Sequence, residues 1–254
     1  GALGRISAMA SVHAQQGART PYAPPPRDID DAEKGMAMAE FADAVVRRGF
    51  VRKVFGLLAV QLMVTVAIGA TIMSSAAVKG FVKTSAVPIF ASIALSFGSL
   101  IYMMVSEKAR SEYPTNLVLM GMFTLGEGTL VGIATANYDT DVVLLALGIT
   151  AAVTAALTAY ALTTKTDFTG AGPYLYTVLL ALLATALIGM FVRTPVMNLG
   201  IGMAGAAIFA LYIVYDVQIL MGGQHKFKVS PDEYVFAAIN IYLDIINLFL
   251  YILR

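Results

Sequence analysis

The chain has 254 residues, of which 58% are hydrophobic and only 13% charged, with a net charge of +1, and its mean hydropathy is +0.76. A soluble domain of this size carries about a quarter charged residues, so the composition excludes an ordinary water-soluble fold. The near-neutral balance excludes a nucleic-acid partner, which would need a basic surface. The absence of cysteine excludes disulfides, thiol catalysis and cysteine metal centres.

Residues 1–45 read as a disordered polar tail, rich in Gly, Ala, Ser and Gln and containing the run PYAPPPRDIDD. Arg5, Arg19 and Arg27 precede the first acid, Asp28. That pattern fits either an organelle transit peptide or an idle tail. The chain begins at Gly1, which leaves open whether residues precede it. Residues 40–53, EFADAVVRRGFVRK, predict a short interfacial helix ending in a basic cluster. The remainder, 46–254, is the membrane domain.

Seven apolar segments follow, at about 54–74, 86–106, 116–137, 142–163, 174–192, 198–221 and 234–253. Each is long enough to cross about 30 Å of hydrocarbon at 1.5 Å per residue. None shows the alternation of barrel strands, so helices are expected. The fold class is therefore an all-α integral membrane protein, a bundle of seven transmembrane helices. The polar turn Asn137-Tyr138-Asp139-Thr140-Asp141 predicts that the third and fourth spans are antiparallel neighbours. A cytoplasmic N-terminus places nine loop cations inside (Arg47, Arg48, Arg52, Lys53, Lys108, Arg110, Lys165, Lys226, Lys228). It places four outside (Lys79, Lys83, Arg193, Arg254). Positive charge accumulates on the cytoplasmic side, so this orientation is expected.

Three acids interrupt the apolar spans: Glu127 in the third, Asp216 in the sixth and Asp244 in the seventh. A carboxylate facing lipid is costly, and such groups usually face a bundle interior where they bind ions, move protons or pair. Helix rise puts Glu127 about 16 Å, Asp244 about 15 Å and Asp216 about 8 Å from the inner face. A short loop makes the last two spans an antiparallel pair, so contact between Asp216 and Asp244 is expected. Asn240, Asp244, Asn247 and Tyr251 form one helical stripe on the last span, and Tyr212 lies one turn from Asp216. Gln61 is the further notable polar residue of a span.

Two carboxyls that share a site cannot both ionise cheaply and titrate as a unit with one proton between them. A cation would replace that proton. Hard oxygen donors suit Ca²⁺, and two aspartates with Asn neighbours make a weak, open site suited to permeation. The expectation is that protonation locks the pair and its loss opens an acidic path. No cofactor is expected, calcium being the permeant ion.

Other patterns carry less. Gly200-Ile-Gly202-Met203-Ala204-Gly205 matches G-x-G-x-x-G but follows no strand, so close helix packing is the better account. Asp28-Ile-Asp30-Asp31 starts like a calcium loop, yet Glu33 and Ala39 stand where such a loop needs Gly and Glu. His13 and His225 lie in the tail and a loop, so a histidine-based metal centre is not expected. No nucleophile–base set is visible, so an enzyme is not expected.

The blocks FVRKVFGLLAVQLMVT (50–65), FTLGEGTLVG (123–132), ALTTKTDFT (161–169), YDVQILMGG (215–223) and SPDEYVFAAINIYLDIINLFLYIL (230–253) resemble the Bax inhibitor superfamily, most closely its Lifeguard branch. The resemblance covers most of residues 50–254. It implies a seven-helix bundle of Bax inhibitor type that leaks Ca²⁺ in a pH-sensitive way, suppresses cell death and protects against stress. It implies that Asp216 and Asp244 are a pH-sensing dyad, and Glu127 matches the acid of the third-helix motif. An arginine latch found in a bacterial relative has no counterpart in 86–106. Lys108 and Arg110, just beyond, are the candidate replacements. Endoplasmic reticulum or Golgi is the expected membrane, with mitochondrial or bacterial inner membranes as alternatives. Lipid, calcium and protons are the expected partners. Two other functions stay open: a non-transporting membrane protein that binds death regulators or a protease, and a proton-coupled calcium exchanger.

Overall fold

In a computed structural model, the described residues are 29–192, 194–222 and 233–254, with side chains described from residue 45. The regular elements among them are all helical: α1 (Ile29–Ser74), α2 (Ala76–Thr84), α3 (Val87–Val105), α4 (Glu107–Ser111), α5 (Thr115–Thr135), α6 (Thr140–Thr163), α7 (Gly172–Phe191), α8 (Pro195–Met221) and α9 (Tyr234–Leu253). A 3₁₀ turn, Thr169–Ala171, precedes α7. Seven of these helices are long and apolar enough to cross a membrane: α1 from Val45, α3, α5, α6, α7 with its leading turn, α8 and α9. The protein is a multi-pass membrane protein. The tail before Ile29, with His13, lies outside the described residues, as does the loop 223–232 with His225, Lys226 and Lys228.

Local chemistry explains the boundaries. No proline interrupts residues 29–74, and Ala, Met, Glu, Lys and Arg favour helix. Residues 29–45, read from composition as unstructured, and 40–53, read as a separate short helix, accordingly both belong to α1. Ser75 then caps α2, its Oγ accepting from Val78 N at 3.3 Å. Thr194 does the same for α8, accepting from Met197 N at 3.2 Å, and Pro195 occupies the first turn. Gly222 ends α8 at φ 58°, a conformation that favours glycine. The Arg47 guanidinium fills the space a side chain there would need and donates to Leu220 O at 3.4 Å.

The chain divides into Gly1–Ala44 and Val45–Arg254, and the second unit carries the spans. Within it α9 is the hub: thirteen of its twenty residues are buried, and it packs on α8, α6, α5 and α4. Around this hub, α3 packs on α5, and α6 and α7 pack on α8. Two seams need glycine. A Cβ at Gly126 would lie 2.7 Å from Ser96 N and 2.8 Å from Ser92 O, so α5 can meet α3 this closely only with glycine there. Gly205 sits against the Tyr251 ring, which stacks on Phe209 at 5.7 Å. The G-x-G-x-x-G pattern is thus part of the α8–α9 contact. These pairings, together with Asp216 against Asp244, run α8 and α9 antiparallel.

The third and fourth spans depart from expectation. Their short turn reverses the chain, yet α5 and α6 do not pack along their length. Instead α6 lies on α8 and α9, and a cavity opens between α5 and α6. A tight turn sets direction; side-chain fit sets the neighbour. Buried Gln218 on α8 pins the 164–171 loop, accepting from Phe168 N at 2.7 Å and donating to Thr166 O at 2.9 Å.

Candidate functional site

Asp216 projects from α8 and Asp244 from α9, and their carboxyls lie at hydrogen-bonding range of each other. Asp244 is only 6% exposed, and Asp216 is partly buried. No amide, hydroxyl or cationic donor among the described residues reaches Asp244 Oδ2. Two ionised carboxylates are acceptors only, so a hydrogen bond between them requires a proton on one. Removing that proton would leave two like charges in contact, which must separate or admit a cation.

The pair borders a cavity of about 670 Å³ walled by α3, α5, α7, α8 and α9. Glu127, Tyr212, Asn240 and Asn247 border the same cavity, whereas Tyr251 and Gln61 do not, so six of the residues singled out within the spans converge on one space. Asn247 Nδ2 donates to Leu243 O at 2.8 Å, which leaves its amide oxygen as the group to offer a cation. Glu127 lies beside Ser96 on α3 and does not complete a three-residue metal cluster with the aspartates; no such cluster occurs among the described residues. A cation at the pair would therefore rest on two carboxylates, amide oxygens and water. Such a set suits passage more than retention.

The two candidate latch residues lie elsewhere. Ser106 breaks the chain after α3 and caps α4, accepting from Ala109 N at 3.3 Å. That short helix leaves Lys108 exposed and turns Arg110 to Glu233, Nε to Oε1 at 2.8 Å. Neither borders the acid cavity.

The structure adds Thr65, Tyr242 and Thr124, which composition did not single out, and gives Gln61 a partner. Thr65 Oγ1 and Tyr242 OH are 2.7 Å apart, and Gln61 Nε2 donates to Thr124 Oγ1 at 3.1 Å. Tyr242 lies within electrostatic reach of Glu127. One signal was present: a tyrosine hydroxyl in a buried helix needs a partner. A second cavity, of about 660 Å³, lies between α1, α5, α6 and α9 and is bordered mainly by aliphatic groups and threonines, Thr65 among them.

This arrangement, acids gathered inside a seven-helix bundle around a buried last helix, defines a polytopic membrane protein with a polar interior. The family described as inhibitor of apoptosis-promoting Bax1 matches residues 47–254, and the chain belongs to this Bax inhibitor family. It is similar to the Golgi anti-apoptotic proteins of Vaccinia virus strains Lister, LC16m0 and LC16m8. Each is 37% identical over 225 residues, spanning 89% of this chain and 91% of the viral protein.

Proposed function

We propose that this protein is a pH-sensitive calcium leak pathway of an endomembrane and that it acts in suppressing cell death. The observation that carries the transport reading is the contact of Asp216 with Asp244 on the wall of a cavity shared with Glu127. The viral relatives' description as Golgi anti-apoptotic proteins supports the cellular role and a Golgi membrane. The excess of loop cations supports a cytoplasmic N-terminus. At low pH a proton bridges the carboxyls and α8 and α9 stay closed on each other. As pH rises the proton leaves, the like charges repel, and the cavity accepts Ca²⁺. Flux therefore increases with pH.

Purified protein in liposomes with a trapped calcium indicator tests this at two pH values. The wild type should leak more at the higher pH without any opposing proton gradient. Asp216→Asn and Asp244→Asn should each flatten that response, because each removes half of the pair. Wild-type pH response in both variants contradicts the dyad. Flux that runs only against a proton gradient identifies an exchanger, and no flux identifies an interaction protein.

A further inference from the structure

The two cavities lie on different faces of α9 and extend toward opposite ends of the bundle. The acid cavity runs along α9 from Asn240, six residues after its start, to Asn247, six before its end, and includes Asp216, five before the end of α8, so it reaches from the half of the bundle near α4 to its middle. The second includes Ser74, the last residue of α1, and Thr140, the first of α6, so it reaches the opposite end. A thin partition separates them. Phe123, on the acid cavity, meets the Tyr242 ring edge to face at 6.0 Å. The Tyr242 hydroxyl meets Thr65 Oγ1 at 2.7 Å, and Thr65 borders the second cavity. Tyr242 itself is 0% exposed.

Gln61 backs this partition. Thr124 Oγ1 donates to Met120 O at 2.7 Å, so it can only accept from Gln61, whose amide hydrogens must turn toward it. Gln61 Oε1 is left buried without a partner. Among the described residues, Thr154 Oγ1 on the second cavity is likewise buried without a partner, and Asp244 Oδ2 on the acid cavity has no donor other than the Asp216 carboxyl. Orphaned buried polar atoms ordinarily mark where water or an ion belongs.

We propose that the two cavities are halves of a single cation path and that the Tyr242–Thr65 hydroxyl pair, backed by Phe123 and Gln61, is the partition that closes it. This deepens the calcium-leak reading and rests on it. When the hydroxyls part, Tyr242 OH, Thr65 Oγ1 and Gln61 Oε1 become oxygens facing the path, the donor type a hard cation accepts in place of its water.

The chain has no native cysteine, so single substitutions supply the sole thiol. Asn247→Cys on the acid cavity and Thr154→Cys on the second should react with a membrane-impermeant thiol reagent from opposite sides of the membrane. Adding Tyr242→Phe or Thr65→Val, each removing one hydroxyl, should let reagent reach both thiols from either side. In the cysteine-free protein, the same hydroxyl variants should raise calcium leak several-fold over wild type at equal pH, with unchanged elution on size-exclusion chromatography. Labelling of both thiols from one side, or wild-type leak in both hydroxyl variants, overturns the partition and leaves the aspartate pair untouched. Absence of wild-type leak overturns the leak reading instead, and opposite-side labelling then still upholds the partition.

Discussion

Helices α7 and α9 are both twenty residues long and both apolar enough to span a bilayer, yet only three residues of α7 are buried against thirteen of α9. The difference lies in how their polar groups are satisfied. The α7 threonines close on their own helix, Thr177 Oγ1 to Pro173 O at 2.9 Å and Thr185 Oγ1 to Ala181 O at 2.8 Å. Asp244 cannot be satisfied that way, so α9 must turn that face to protein. Hydropathy marks which segments cross; side chains that their own backbone cannot satisfy mark which one sits in the centre.

The comparison breaks most visibly if an acid is moved from one helix to the other. Leu180, 48% exposed near the middle of α7, lies on the outward face. Leu180→Asp should make insertion less favourable by about 2.5–3.5 kcal/mol, read as a lower membrane-integrated fraction, although α9 carries an aspartate in the native protein. Insertion equal to wild type would mean that α7 does not face lipid.

Removing a satisfied interior group tests the other side of the comparison. Gln218→Leu leaves the Phe168 amide and Thr166 carbonyl without their partner and should cost about 1–3 kcal/mol, with faster proteolysis of the 164–171 loop as the local sign. The Arg110–Glu233 pair is about a third exposed, 28% and 34%, so Arg110→Gln should cost no more than about 1 kcal/mol and leave the pH response of calcium flux in place. Smallest of all, Leu180→Ala should change stability in detergent by less than about 0.5 kcal/mol. A larger loss would place that face against protein.

Much of this was legible before the structure. The seven spans follow from apolar length, and the convergence of Asp216, Asp244, Glu127, Tyr212, Asn240 and Asn247 on one cavity follows from helical spacing and the cost of charge in lipid. The separation of α5 from α6 was not legible, because a turn constrains only the chain's ends while packing depends on facing side chains such as Gly126 and Ser96. Nor was the extent of α1: tail composition suggested disorder, but residues 29–45 also hold good helix formers and no proline. The Tyr242–Thr65 contact joins residues 177 apart in sequence, and neither residue looks unusual by itself within an apolar helix.

The central claim is that Asp216 and Asp244 hold one proton between them inside the bundle. Infrared difference spectroscopy across a pH titration reads it directly, through the carbonyl stretch of a protonated carboxyl. With Glu127→Gln removing the other carboxyl on the cavity, a single titrating band, lost on adding Asp216→Asn and also on adding Asp244→Asn, is the predicted result. A band that survives both substitutions, or no such band at any pH at which the protein stays folded, contradicts it.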